Sequence, residues 1–420
     1  MKIYAPWEKL FNRISTPFEH FIHAQTTTGL ILMIMTVVAL VLANSPIAEV
    51  YTHFFHTYIS VEIGSFKLSH SIHHWINDGL MAIFFFIIGL EIKREISVGE
   101  LSDMKVAILP ILAAIGGMVL PALIYLGING GGEGANGWGI PMATDIAFAI
   151  SALVLLQNRI SPSLVTFLVA LAIVDDLGAV IVIALFYTNE IHILWLALAF
   201  LSFFVLVAFN RFGIHAVLPY FAVGFVMWFF MLESGVHATI AGVVAAMAIP
   251  SKPKYAPVAF TAHAKNLLDE YDNYPVATDH MMHERQKAIL QNIKDKIDAV
   301  GSPAARLEHS LHLPVSLIVI PLFARANAGI SIDFSSINET ITQSVSLGII
   351  FGLILGKVIG IAGVSWLAIK FGIAALPENT TMSQIFGVSF LGGIGFTMSM
   401  FVADLAFMGN DTLIFQSKVG

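Results

Sequence analysis

Two adjacent aspartates, Asp175 and Asp176, lie in the middle of a long apolar run with the sequence LAIVDDLGAVIVIA. Ionisable groups are costly inside a membrane, so acids in such a run are candidates for function. Adjacent helical side chains point about 100° apart, and one carboxylate can therefore face a solvent-filled site while the other faces a neighbouring helix. Carboxylate oxygens suit hard cations such as Na⁺, and they also bind protons. The alternative interpretation is a structural pair of buried acids, either protonated or salt-bridged.

Asp145 marks a second apolar run, GIPMATDIAFAI, in which Pro141 and Thr144 disfavour a continuous helix. An unwound segment frees backbone carbonyls and exposes the ends of half-helices. A carboxylate there can balance the positive N-terminal end of a half-helix. The competing interpretation is a proline kink with a solvated aspartate.

Lys357 lies within a third run, GLILGKVIGIAG. A lone ammonium group in a membrane needs an acid partner or loses its proton, and Asp175 and Asp176 are the obvious acids. The alternative is a lysine that extends to the membrane interface. Together these residues indicate a site that holds either protons or Na⁺, which is sufficient for antiport.

The composition indicates that the elements holding these residues are membrane spans. Of 420 residues, 57% are hydrophobic and only 12% are charged, whereas soluble domains carry about 25% charged residues. The absence of cysteine excludes disulfides, iron–sulfur clusters, cysteine nucleophiles and thiolate zinc sites. The net charge of −7 argues against a nucleic-acid partner.

Long apolar runs predict an all-α polytopic membrane protein with eleven spans. Span 4 and the glycine-rich span 11 are predicted to be broken helices. The predicted spans are 27–44, 75–90, 105–127, 140–156, 163–187, 192–209, 216–232, 236–250, 313–328, 344–369 and 384–407.

Lysine and arginine predict the orientation of these spans, because cytoplasmic loops carry an excess of both. Among the 21 Lys and Arg residues, only Lys67 and Lys418 fall on one side, Arg325 and Lys357 fall inside spans, and all others fall on the opposite side. The N-terminus is therefore predicted to be cytoplasmic.

The loops and tails complete the predicted organisation. An interfacial segment covers 1–26, spans 1–8 cover 27–250, a cytoplasmic insert covers 251–312, spans 9–11 cover 313–407 and a truncated tail covers 408–420. Alternating residues predict a β-hairpin at about 58–69, which either pairs with a second copy or packs on its own bundle. The insert is predicted to contain one amphipathic helix over 281–300.

Several motifs resemble those of the NhaA-type bacterial Na⁺/H⁺ antiporters, and they cover spans 2–11. They are FFFIIGLEIKREI (84–96), AAIGGMVLPALIY (113–125), PMATDIAFAI (141–150), LAIVDDLGAVIVIALFYT (171–188), SGVHATIAG (234–242), PLFARANAG (321–329), ILGKVIGI (354–361) and GIGFTMSMF (393–401).

The resemblance implies inverted repeats of spans 3–5 and 10–12 with two crossing broken helices, an arrangement for which NhaA itself is one of the type examples. It implies electrogenic, pH-regulated export of Na⁺ or Li⁺ in exchange for protons, by alternating access. It also implies a homodimer in the bacterial inner membrane, formed through the 59–68 hairpin, with no cofactor and no enzymatic activity.

The resemblance also implies roles for individual residues. Asp176 would be the main shared carboxylate, and Asp175 would pair with Lys357 in the sodium-free state. Asp145 would balance the crossing half-helices, and Na⁺ would be held by Asp176, Asp175 and Thr144. The residues implied in pH regulation are Glu91, Lys93, Glu95 and His237.

The sequence departs from the family pattern in four places. The chain ends before a twelfth span, which leaves the second repeat incomplete. Arg325 replaces an apolar residue, Val358 replaces a proline, and the 251–312 insert is longer than in the best-known members.

Two other functions compete with antiport. A sodium-coupled organic-anion symporter would need a polar substrate cavity beyond the ion site. An intramembrane aspartyl protease would need two acids sharing one water, an arrangement that Lys357 would disturb, and the GxGD context is absent around Asp176.

Overall fold

The computed structural model describes residues 25–63, 66–154, 160–188, 191–254, 257–273, 284–331 and 337–420. The predicted interfacial segment 1–26 lies almost wholly outside these ranges, as does the start of the predicted helix over 281–300.

The described chain is helical apart from one hairpin. In chain order, the elements are α1 (Gln25–Ala43), α2 (Ala48–His56), β1 (Tyr58–Ile63), β2 (Phe66–Ser71), α3 (Ile72–Val98), α4 (Met104–Asn129), a 3₁₀ segment (Glu133–Met142), α5 (Ile146–Val154), α6 (Pro162–Phe186), α7 (Ile193–Arg211), α8 (Val217–Glu233), α9 (Thr239–Ala248), α10 (Pro257–Asp272), α11 (Glu284–Val300), α12 (Pro303–Asn327), α13 (Ile337–Ile341), α14 (Ser344–Lys370), α15 (Met382–Gly392), α16 (Phe396–Ala406) and α17 (Asp411–Val419).

The predicted all-α membrane architecture is confirmed. Within the described ranges, six helices are long and apolar enough to cross a membrane: α3, α4, α6, α7, α12 and α14. Two bent pairs pass the same test, α1 with α2 at 112° and α15 with α16 at 47°, and α8 and α9 are shorter apolar helices. The predicted tail contains α17.

The hairpin leads directly into α3. Its strands are antiparallel, pairing Tyr58 with Ser71 and Ile63 with Phe66. The Trp75 indole donates to the Ile59 carbonyl at 3.3 Å, which ties the hairpin to the first turn of α3. We call this face of the molecule the hairpin side, and the face carrying α10 and α11 the insert side.

In its described residues, the insert contains two helices and part of a third. Arg285 of α11 pairs with Glu270 of α10 at 3.0 Å. α12 begins at Pro303, because the Ser302 hydroxyl caps it by accepting from the Ala305 amide and proline suits the first helical turn. α12 therefore crosses the predicted boundary between 312 and 313, and the division of the chain into five segments stays a prediction.

Helices α4 and α14 approach each other closely at glycines. A Cβ atom at Gly360 would collide with the Gly116 carbonyl, and one at Gly356 would lie 2.6 Å from Pro121. Small residues allow membrane helices to pack backbone against backbone. This crossing carries Lys357 into the centre of the bundle.

Candidate functional site

Two helix breaks cross at the centre of the molecule. The chain is not helical at 143–145, between the 3₁₀ segment and α5, or at 393–395, between α15 and α16. The Asp145 amide donates to the Ile394 carbonyl at 2.7 Å, and the Thr144 hydroxyl donates to the Gly392 carbonyl at 2.7 Å. Unwound backbone inside a membrane needs such partners. The predicted breaks in spans 4 and 11 are confirmed.

Asp145 caps the half-helices on both sides of this crossing. Its Oδ1 accepts from the Phe148 amide of α5 at 3.0 Å, and its Oδ2 accepts from the Thr397 amide of α16 at 3.1 Å. The Thr397 hydroxyl also donates to Oδ2. Helix N-termini carry partial positive charge, and two of them therefore balance this buried carboxylate without a cation.

Lys357 is bound to Asp175 and Thr144. Its Nζ lies 2.7 Å from Asp175 Oδ2 and 3.0 Å from the Thr144 hydroxyl oxygen, and all three residues are fully buried. Thr144 accepts from the ammonium group and donates to the other break. In this conformation, two of the three groups in the implied Na⁺ ligand set are bonded to Lys357.

Asp176 points away from Asp175, into a cavity of about 270 Å³ that Asp145 and Thr397 also line. It is 1% exposed, and its Oδ1 has no hydrogen-bond partner among the described residues. Buried polar atoms are normally satisfied, so this oxygen is a position for a proton or a hard cation. Within the described ranges, no group of three or more His, Asp or Glu side chains is placed to hold a metal ion.

The mouth of the cavity lies on the insert side, between α3 and α12. Glu91 and Arg94 of α3 line it, together with Glu308 and His312 of α12. Arg94 bridges two acids, with nitrogens 2.9 Å from Glu95 and 2.5 Å from Glu308.

Lys93 lies outside this cluster. Its Nζ donates to the carbonyl of Met247 at 2.7 Å and to that of Ile249, where it satisfies the C-terminal end of α9. The structure thus places Glu91 at the mouth and Glu95 beside it, paired with Arg94, and it gives Lys93 a helix-capping contact instead.

His237 also lies apart from the cavity lining. It is buried, and its Nε2 is 2.6 Å from the Tyr187 carbonyl at the end of α6. The Tyr187 hydroxyl donates to the Asn136 carbonyl and accepts from the Gly139 amide. His237 therefore belongs to a chain of contacts that ties α6 to the 3₁₀ segment.

Three residues of the site were missed from the sequence: Thr397, Arg94 and Glu308. Thr397 and Arg94 both lie inside motifs that resemble the family. The hydroxyl of Thr397 and the guanidinium of Arg94 are the features of the sequence that could have identified them as site residues. Glu308 was assigned to the insert because the predicted span began at 313, whereas α12 begins at Pro303.

The comparison with known proteins agrees with this geometry. A family model described as Na⁺/H⁺ antiporter 1 matches residues 19–420. The chain belongs to this family. It is 72% identical over 420 residues to the Na⁺/H⁺ antiporter NhaA of Sulfurimonas denitrificans, covering 100% of this chain and 95% of the relative.

More distant relatives carry the same name. The chain is 48% identical to Na⁺/H⁺ antiporter NhaA 1 of Saccharophagus degradans, over 99% of this chain and 89% of the relative. It is 47% identical to NhaA of Dichelobacter nodosus, over 99% of this chain and 90% of the relative. Members of this antiporter family are transporters and not enzymes, and the Lys357 contact to Asp175 also opposes a protease dyad.

Proposed function

We propose that this protein exports Na⁺ or Li⁺ in exchange for protons, by alternating access to a carboxylate site centred on Asp176. The observation that supports this proposal best is the unpartnered Asp176 oxygen at the inner end of the cavity. It is a buried anionic position that a proton or a cation can occupy, but not both.

Competition for oxygen atoms supplies the exchange mechanism. Na⁺ entering from the insert side meets Asp176 first, and full coordination then recruits Asp175 and Thr144. Both are bonded to Lys357, so Na⁺ binding displaces the ammonium group. After Na⁺ leaves on the hairpin side, protons or Lys357 reclaim the same oxygens. Exchange is electrogenic because more than one proton enters for each Na⁺ that leaves.

Asp145 joins the two half-helices that begin after the crossed breaks. Because one carboxylate caps both α5 and α16, these half-helices move together when access alternates. Their N-termini keep Asp145 compensated at each stage of the cycle. Asp145 thus positions the site.

The distribution of lysine and arginine supports a proposal for the orientation of the protein in the membrane. We propose that the insert side, rich in lysine and arginine, faces the cytoplasm of a bacterium, and that the protein lies in the inner membrane with a cytoplasmic N-terminus.

We further propose a homodimer formed through the 59–68 hairpin. Tyr58 and Ile59, at its edge, are 70% and 48% exposed, which suits a partner strand.

We propose pH regulation at the mouth of the cavity. Arg94 lies among Glu91, Glu95 and Glu308, and its ion pair with Glu308 joins α3 to α12. Protonation of Glu308 would therefore weaken the contact between these two helices. Lys93 and His237 would act indirectly, through the ends of α9 and α6 that they hold.

The test is cation-driven proton movement in everted vesicles from an antiporter-deficient strain. Na⁺, Li⁺ and K⁺ are added separately across a pH series. Na⁺ and Li⁺ should each drive exchange, and Asp176→Asn should abolish it. Glu49→Gln, which changes an exposed acid on α2, should leave exchange intact. Exchange retained by Asp176→Asn would overturn the shared-site proposal.

A further inference from the structure

A largely buried polar cluster lies at the hairpin side of the bundle. Asp404 lies near the end of α16, and its Oδ1 is 2.9 Å from the Nζ of Lys418 on α17. Asn77 of α3 donates to Asp404 Oδ2 at 3.3 Å. The Asp404 and Lys418 side chains are only 11% and 9% exposed.

Two asparagines extend the cluster to α12. Asn327 donates to the Asn77 side-chain oxygen at 2.9 Å and to the Phe323 carbonyl at 3.0 Å. His73 lies 2.9 Å from Asn327 Oδ1 and 4.0 Å from Asp404 Oδ2. Four helices, α3, α12, α16 and α17, therefore meet through side-chain contacts at one level.

An aromatic layer lies between this cluster and the ion site. The Phe401 ring is 5.6 Å from Phe85 and 6.0 Å from Phe323, and all three rings are fully buried. Each ring stands one or two helical turns inward from a cluster residue: Phe401 from Asp404, Phe323 from Asn327 and Phe85 from Asn77.

Helix α16 connects the three levels. Thr397 at its N-terminal end donates to Asp145, Phe401 follows one turn later, and Asp404 lies one turn beyond. The helix is thus fixed by a carboxylate at each end. Any rearrangement of the break before α16 pulls on the contacts of Asp404.

We propose that this cluster is the hairpin-side gate, and that Asp404 is a positioning residue whose ion pair with Lys418 holds the gate closed while the cavity is open to the insert side. The role of this gate in transport rests on the proposed function. Ions leave on the hairpin side only after the contacts of Asp404 have separated and the aromatic layer has opened.

Cysteine labelling tests the gate directly, because the chain has no cysteine of its own. Met81→Cys reports on the hairpin side: Met81 is 2% exposed and lies one turn inward from Asn77 on α3. Ser316→Cys reports on the cavity that opens to the insert side. A membrane-impermeant thiol reagent is applied to right-side-out or everted vesicles containing the full chain.

The expected result is reciprocal. Asp404→Asn should raise labelling at position 81 from the hairpin side by roughly fivefold, the scale of one partly exposed ion pair, and lower labelling at position 316. Lys418→Met removes the same pair from its other partner and should act alike. The charge swap Asp404→Lys with Lys418→Asp should restore low labelling at position 81. Asp411→Asn, an exposed acid on α17, should change neither rate.

Unchanged labelling in both single variants would overturn the gate, and so would a parallel rise at both positions, which indicates loosened packing. The outcomes separate the two proposals. If Na⁺ drives no exchange but labelling shifts reciprocally, the proposed function fails and the gate remains. If exchange is present and labelling does not shift, the gate alone fails.

Discussion

Lys357 holds a fully buried ammonium group against one carboxylate and one hydroxyl. Lys357 has a role in stability and a separate role in transport. The role in stability depends on charge balance with Asp175, and the role in transport depends on when the ammonium group releases Asp175 and Thr144. Breaking a buried ion pair from one side leaves the other charge unpaired, which costs about 3–5 kcal/mol, whereas removing both charges costs much less.

Lys357→Ala should therefore lower the free energy of unfolding by about 3 kcal/mol. Thermal unfolding of the detergent-purified chain measures this change. The matched control is the double variant Lys357→Met with Asp175→Asn, which should recover most of the lost stability. An unchanged melting temperature in Lys357→Ala would contradict the pairing.

Thr397 makes a different prediction at the same scale. Thr397→Val removes the hydroxyl bond to Asp145 Oδ2 but keeps the backbone amide. Exchange should fall and stability should drop by about 1–2 kcal/mol, since the bond to a charged group is lost inside the bundle. Thr397→Ser retains the hydroxyl and should behave as the parent in vesicle exchange. Equal exchange by the valine and serine variants would exclude a role for the hydroxyl.

Among the elements, the α4–α14 crossing sets the position of the whole site. Glycine in a helix normally costs stability, so replacing it with alanine should help by about 0.5–1 kcal/mol where space is available. At Gly360 the space is occupied by the Gly116 backbone. Local helix preference and tertiary packing thus oppose each other.

Gly360→Ala should destabilise the protein by at least about 1–3 kcal/mol and reduce exchange, because α14 must shift and carry Lys357 with it. Gly387→Ala is the control: a Cβ there meets nothing within 4 Å, and stability should hold or rise. Thermal unfolding and vesicle exchange on the same preparations measure both effects. A stable Gly360→Ala variant would contradict the tight crossing.

Among the elements, the apolar helices and the helix breaks could be predicted well from the sequence. The ends of the helices could be predicted less well. The breaks at 143–145 and 393–395 follow from proline, glycine and a buried acid. α12 begins ten residues before the predicted span 313–328, because its first turns are polar and depend on the Ser302 cap. Side-chain direction was also beyond reach: Lys93 and Glu91 differ by two residues and face different neighbours.

For the whole molecule, the structure has one open side and one closed side. The cavity reaches Asp176 from the insert side, while the aromatic layer and the Asp404 cluster cover the hairpin side. The aspartate pair, Lys357 and Asp145 could be selected from the sequence as unpaired charges in apolar runs. The Asp404 cluster could not, because its members lie at the ends of four helices far apart in the chain.

The proposed dimer makes a prediction at this scale. Tyr58→Ser combined with Ile59→Ser removes two exposed apolar side chains from the hairpin edge. The dimer fraction, measured by cross-linking in membranes, should fall, while exchange per chain should change little because the ion site lies within one bundle. His215→Gln, a half-buried position outside the hairpin, serves as the control. An unaltered dimer fraction would move the dimer contact elsewhere.

The crossed breaks also constrain how such a chain can be recombined. Asp145 and Thr144 bond to the backbone of 392–394, and Asp145 caps the helix that follows. A hybrid that takes the first break from one relative and the second from another joins halves that were fitted to different partners. Exchanging both breaks together preserves the fit. The two segments, separated by about 250 positions in the chain, therefore form a single module for inheritance and for engineering.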